Sequence, residues 1–263
     1  MRTVTWEQPE RHASVGSTNV EALADPRPGR VVVADHQSAG QGRRGRSWQS
    51  PPGAGLAISA VVPAVAPELM GWLPLAAGLA AARALAAGEQ PVDAALKWPN
   101  DVLAPLVDPS PGQLAVLEAR GRRWGKVAGV LAAVAGTGDV VIGTGINVDH
   151  APEQLPVPTA TSWRLARGGD PLPQGARGAL LDAYLEGLAT WHAALAAGDA
   201  RAVRTAYLEQ CLTIGQEVVV HRPDGGTTTG TAAGLDDSGA LLVDGPGGRT
   251  VHHAGDVEHL RPK

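Results

Sequence analysis

The sequence predicts an α/β (α+β) chain, with a mixed β-sheet covered by helices followed by a small all-β unit. Val/Ile/Leu runs bounded by Gly, Pro and Asp recur between residues 31 and 148. Helical periodicity interrupts them at residues 67–87 and returns at 176–197 and 200–210. From Thr213 the chain changes to short alternating segments joined by Asp-Gly and Ser-Gly pairs, a hairpin pattern. Strands interleaved with helices, several at hairpin spacing, give a mixed sheet with helices on one side.

Taken in order, residues 19–24 form a short helix started by Ser17-Thr18-Asn19, with Glu21 in its first turn. Strands are expected at 31–35, 55–62, 94–98, 113–118, 126–134 and 140–148. Loops fall at 108–112 and at the Pro-rich 151–158. The last stretch reads as strands at 217–222, 227–235, 240–244 and 249–253, with turns at 223–226, 236–239 and 245–248, the makings of a small β-barrel. The expected units are residues 1–211 and 212–263.

At 263 residues the chain can bury a real core, as one large domain or one large and one small. A net charge of −4 and 3 % aromatic residues argue against a nucleic-acid-binding module. The alanine-rich run 73–87 contains Arg83 and reads as a helix, not a membrane span. The first residues lack the apolar core of a secretory leader, so a cytoplasmic location is expected. Cys211 is the single cysteine, which excludes internal disulfides and CxxC metal sites; it follows a helical stretch and is expected to pack there. The basic residues are 19 Arg but only three Lys: Lys97, Lys126 and Lys263. Where Arg is used almost throughout, a retained Lys marks a place that needs a compact ammonium. Lys97 and Lys126 are therefore candidates, Lys263 being the last residue.

The segment from Asp35 to Trp48 sets Gly40, Gly42 and Gly45 among Arg43, Arg44 and Arg46 directly after an apolar strand. Glycines allow close backbone approach, and guanidinium forks suit carboxylate and phosphate oxygens, so this loop is suited to wrapping an anion. Ser17-Thr18-Asn19 offers two hydroxyls and an amide, either as a plain N-cap or as a cradle for a neutral polar ring. Lys97-Trp98-Pro99-Asn100-Asp101 ends a strand with a cation, an amide and a carboxylate presented in a loop. Along Gly125-Lys126-Val-Ala-Gly129-Val-Leu131, alternation sends Lys126, Ala128 and Val130 to one face, with Gly129 on the other or at a bulge. Gly143-Thr-Gly145-Ile-Asn147 lacks the third glycine of a dinucleotide fingerprint, but suits backbone passing close to a flat ring. His252, His253 and His259 have no carboxylate or cysteine partner at ligand spacing and are expected on the surface of the small barrel.

Together, in this order, these five motifs resemble the biotin protein ligases over roughly residues 17–148, and the small C-terminal unit fits the SH3-like barrel of that family. The resemblance implies formation of biotinyl-5'-adenylate from biotin and Mg-ATP, then transfer to one lysine of a biotin carboxyl carrier domain. Because Ser17 comes early, it implies the type without a DNA-binding domain, acting as a monomer or weak homodimer with no nucleic-acid or membrane partner. Ser17, Thr18, Asn19 and Gln37 would hold the ureido ring, and Gly40, Gln41, Gly42 and Arg43 the valerate and phosphate. Lys126 would grip the reacting carboxylate and α-phosphate, with Gly129 and Leu131 beside the biotin. Arg43, Arg46, Trp48, Asn100 and Asn147 would serve the nucleotide, Trp48 and Asn147 flanking adenine. Asp101 would be catalytic with Arg43 and Lys126, close to the Mg²⁺ of Mg-ATP and steering the incoming lysine.

Gln41 stands where the family usually has Arg, residues 104–124 are longer than usual, and Ala132-Ala133 replaces a common acidic position. A lipoate or octanoate ligase on a related fold is the alternative; the polar Ser-Thr-Asn set with Gln37 disfavours it, because lipoate has no ureido group.

Overall fold

The computed structural model describes residues 4–48, 50–222, 224–253 and 255–259. Lys263 and Pro223 of the expected turn lie outside them. The first part contains β1 (Glu10–His12), α1 (Thr18–Ala24), β2 (Val31–Ala34), β3 (Gly55–Val62), α2 (Trp72–Ala86), β4 (Ala95–Lys97), β5 (Asp101–Pro105), β6 (Leu117–Ala119), β7 (Arg122–Val134) and β8 (Val140–Asn147). The strands form one sheet in the order β1-β2-β3-β8-β7-β5-β4, with β6 paired to β7. Only β1–β2 is parallel; the other ladders are antiparallel.

Every residue of β2 and β3 is buried, which explains why their sequences are apolar runs, broken only by Ser59 in β3, rather than alternating ones. Val31, Val33, Ile58 and Ala60 join the main core with α2, while Val32, Val61 and Val141 pack against Ala22 of α1 on the opposite face. After β8 come α3 (Trp163–Ala166), α4 (Ala176–Ala196) and α5 (Ala200–Gln210). Helix α2 is buried on nearly all sides, as its uniformly apolar sequence requires. Helix α4 buries Leu180, Leu181, Tyr184, Leu185 and Leu188, one stripe at helical spacing.

The chain closes with β9 (Glu217–His221), β10 (Thr227–Leu235), β11 (Leu241–Gly245), β12 (Gly248–His252) and β13 (Asp256–His259), an antiparallel sheet in the order β12-β11-β10-β9-β13. Its 236–239 turn is built as the sequence suggests: Asp236 Oδ1 accepts from the backbone N–H groups of Ser238 and Ala240, both at 2.9 Å. The small sheet is firmly joined to the large one. Trp98 Nε1 donates to Gly239 O (3.1 Å), Trp72 Nε1 to Asp237 O (2.8 Å), and Val218, Val220, Leu241 and Val243 continue the main core.

Four elements were not anticipated: β1, β5, α3 and β13. Residues 67–87 divide into a 3₁₀ turn at Pro67–Leu69 and α2, and the strand expected at 113–118 is confined to β6. There Arg120 and Gly121 take φ of 52° and 70°, the paired left-handed turn that closes the tight β6–β7 hairpin. Asn100 sits in the turn expected of it, but Asp101 does not. Asp101 begins β5, directly across a tight hairpin from Lys97.

Candidate functional site

The face of the sheet away from α2 and α4 carries the site, because its floor is made of small residues. Ala57, Gly129, Gly143 and Gly145 leave a cleft of about 470 Å³ above the strands. The small residues are required sterically. A Cβ on Gly145 would lie 2.6 Å from Trp48 Nε1, and one on Gly143 would lie 2.7 Å from Asn19 Nδ2. Trp48 thus lies directly on the glycine strand, and Lys126 Nζ sits 5.6 Å from its ring centroid.

Of the residues proposed from sequence, Ser17, Thr18, Asn19, Gln37, Gln41, Gly42, Arg43, Arg46, Trp48, Asn100, Asp101, Lys126, Gly129, Leu131 and Asn147 all line this cleft, and so does Lys97. Gly40 does not. It is buried at the base of the loop, where its carbonyl accepts from Trp48 N (2.8 Å) and where a Cβ would come within 2.8 Å of Gln37 Nε2.

Ser17 occupies the N-cap of α1 but makes no capping bond, so the three polar residues serve the cleft rather than the helix end. Thr18 gives both its backbone N–H (2.8 Å) and its hydroxyl (3.0 Å) to Gln37 Oε1. Ser59 Oγ, fully buried in β3, lies 2.7 Å from Thr18 Oγ1 and 2.6 Å from Asn19 Oδ1. Ser59 escaped the sequence reading. A lone hydroxyl within Gly55–Val62 was the available signal, since a buried hydroxyl must find a partner.

The position of Lys126 corrects the expected alternation. The β5–β7 register shifts between Val102 and Leu103, so Val127 forms a bulge and Lys126 moves to the face of Gly129. A Cβ on Gly129 would lie 3.1 Å from Lys126 Nζ. The longer 104–124 segment does not displace this lysine: its N–H donates to Thr159 O and its carbonyl accepts from Thr161 N, both at 2.9 Å.

Asp101 is the hub of the charged end. Its Oδ1 lies 2.6 Å from Lys126 Nζ and its Oδ2 3.6 Å from Lys97 Nζ. Burial alone would raise its carboxyl, yet Lys126 and Lys97 together hold it below the ordinary value. Burial lowers the Lys97 ammonium, opposed by Asp101. With its two oxygens facing Lys126 and Lys97, Asp101 is the counter-ion of both ammonium groups.

Asn100 lines the same end of the cleft. Its amide nitrogen donates to Val130 O (3.0 Å) and its oxygen accepts from Arg43 Nη1 (3.3 Å), so it braces the loop against the sheet. Asn147 donates to Thr161 O (3.0 Å), while its buried Oδ1 has no partner among the described residues. The Gly/Arg segment is a hairpin closed by Gln41 and Ser47, with a tight turn in which Arg44 and Gly45 are left-handed and Arg46 N donates to Arg43 O at 3.3 Å.

Two histidines contradict the expected surface placement. His252 is buried, and His259 of β13 faces the cleft with neither ring nitrogen partnered among the described residues. Burial first, then Lys97, pushes the His259 imidazole down to about 3, so it is neutral. The cleft is therefore lined by four cations (Lys97, Lys126, Arg43, Arg46) against two carboxylates (Asp101, Glu258), a setting for an anion beside an uncharged polar cradle.

Comparison with known proteins agrees with this geometry. Residues 6–148 match the Biotin/lipoate A/B protein ligase family, and residues 213–260 match the biotin protein ligase C terminal domain. The chain is 39 % identical to the biotin–[acetyl-CoA-carboxylase] ligase of Mycobacterium tuberculosis, over 97 % of this chain and 90 % of that one. It is 32 % identical to the enzyme of that name from Paracoccus denitrificans, over 93 % and 98 %. The biotin protein ligase of Aquifex aeolicus, solved with biotin and ATP, superposes with a TM-score of 0.77 over 98 % of this chain and all of that one; at 24 % identity this speaks for the fold. The chain belongs to the Biotin/lipoate A/B protein ligase family.

Proposed function

We propose that this chain is a biotin–[acetyl-CoA-carboxylase] ligase, with residues 1–211 as the catalytic domain and 212–263 as an accessory domain. The observation that carries this reading is a single cleft that joins a neutral hydrogen-bonding cradle to a cationic end, with Lys126 at the junction. Ser17, Thr18, Asn19 and Gln37 match a ureido ring, whose N–H and C=O edges need fixed partners. Nothing in lipoate would use that set.

In the first step a biotin carboxylate oxygen attacks the α-phosphorus of ATP, forming the mixed anhydride and releasing pyrophosphate. Two anions must meet, and repulsion dominates the barrier. Lys126, Arg43 and Arg46 offset it and stabilise the charge that develops. Mg²⁺ would come as part of the co-substrate and would offset part of the phosphate charge. Asp101 holds both lysines in place. The unpartnered Asn147 Oδ1 accepts from the exocyclic amine of adenine, whose ring lies against Trp48. In the second step a carrier lysine amine attacks the acyl carbon, AMP leaves, and the amine loses a proton as the amide forms. No residue of the enzyme is acylated, in keeping with His259, the histidine of the cleft lining, having neither ring nitrogen bonded to a hydroxyl or thiol among the described residues.

The test is incubation with biotin, Mg-ATP and a purified carrier domain, read by intact mass. The carrier gains one biotinyl group at its acceptor lysine and gains nothing when lipoate replaces biotin. Lipoylation without biotinylation would establish the alternative.

A further inference from the structure

The Gly/Arg hairpin is fastened to the small domain at one point. Asp256, the first residue of β13, has its Oδ2 3.0 Å from Arg46 Nη2 and 3.3 Å from Arg44 Nη1, and its Oδ1 4.0 Å from Arg43 Nη1. Two carbonyls of the same domain take further N–H groups: His221 O from Arg44 Nη2 at 2.9 Å, and Gly255 O from Arg43 Nη1 at 3.1 Å. Three guanidinium groups within four residues repel one another, and one carboxylate gathers them. The three are not equivalent. Arg43 and Arg46 line the cleft, whereas Arg44 does not; its recorded side-chain bonds go to β9 and β13. Arg44 also holds φ 56°, a left-handed backbone that a residue with a Cβ rarely adopts without outside support.

We propose that Asp256, gripping Arg44 as a pin, is a positioning residue through which the small domain holds the Gly/Arg hairpin over the cleft and sets how long the acyl-adenylate stays enclosed. This rests on the ligase reading. Neither Asp256 nor Arg44 touches the reacting atoms; they act through Arg43 and Arg46. The mixed anhydride hydrolyses in water, so its retention depends on what covers it.

The test uses the full chain loaded with biotinyl-adenylate made in place, and measures release rate by chase together with stray labelling of a bystander protein's lysines. Asp256→Asn and Arg44→Ala should each speed release about fivefold, the scale of a partly exposed ion-pair cluster. Asp256→Glu should restore retention, and affinity for biotin alone should not change. Combining Asp256→Asn with Arg44→Ala should fall clearly short of the sum of the two single effects, because the two changes share the Asp256–Arg44 contact. Should Asp256→Asn fail to fold, Arg44→Ala alone decides by the same readout. Unchanged release, an additive double variant, or an equal loss of biotin affinity would overturn the latch. A wild type that makes adenylate while the variants retain it equally overturns the latch alone; a wild type that makes none overturns the ligase reading and the latch together.

Discussion

Asp101→Asn removes one negative charge from between two ammonium groups while changing almost no volume. Asp101 lies 2.6 Å from Lys126 and 3.6 Å from Lys97, with side chains 18 %, 29 % and 11 % exposed respectively. Removing one partner of a buried pair costs about 3–5 kcal/mol, whereas an exposed pair is worth about 0.2–1 kcal/mol. Lys97 belongs near the buried limit and Lys126 nearer the exposed one. Lys97 can also lose its proton, because burial has already lowered its ammonium, and this caps the penalty. The expected loss is about 2–3 kcal/mol of unfolding free energy in a urea titration near neutral pH. ATP returns negative charge to the same place, so it should raise the Tm of the variant more than that of wild type, although adenylate formation slows. A loss below about 1 kcal/mol, or an ATP-induced shift no larger than wild type's, would refute the assignment of Asp101 as the lysines' counter-ion.

Gly145→Ala places a methyl group where the Trp48 indole lies, 2.6 Å from its Nε1; KM for ATP should rise about tenfold, the scale of a lost base–aromatic stack, with biotin affinity retained. An unchanged KM for ATP would remove Trp48 from the nucleotide subsite. Arg43→Gly should unbrace the hairpin from Asn100 and Gly255 and release free adenylate, seen as labelling of bystander lysines; labelling confined to the carrier would contradict this. His259 sits at about 3 in the folded protein against an ordinary 6.5. The unfolded chain therefore binds the extra proton first, and the stability this neutral ring contributes is complete above 6.5 and declines as pH falls below it. Between about pH 7.5 and 5.5 the wild type should lose about 1.4 kcal/mol that His259→Gln does not lose, measured as urea midpoints at both pH values. Equal losses in the two proteins would place the imidazole in solvent.

What could be read from sequence was whatever is local. The apolar runs of β2 and β3, the helical stripe of α4 and the Asp236–Gly239 turn each state their structure in consecutive residues. The small residues at 129, 143 and 145 marked the floor of the cleft because a glycine inside a strand needs a reason. What escaped depends on partners distant in the chain. The bulge at Val127 turns Lys126 to the opposite face, and it arises from how β5 pairs rather than from β7 itself. Ser59 matters only because α1 lies above it. Asp256 and His259 meet residues more than 150 positions away, and no spacing rule connects a histidine in a barrel strand with Lys97. Asp101 looks like a loop residue in sequence because Pro99 hides a tight hairpin.

Biotin-dependent exchange of pyrophosphate into ATP, run beside the same reaction with lipoate, tests the central claim most directly. It requires only the first chemical step and no carrier. The purified chain should catalyse exchange with biotin, show none with lipoate, and lose the activity when Lys126 is replaced by Met. Exchange supported by lipoate and not by biotin, or full exchange in Lys126→Met, would contradict the account.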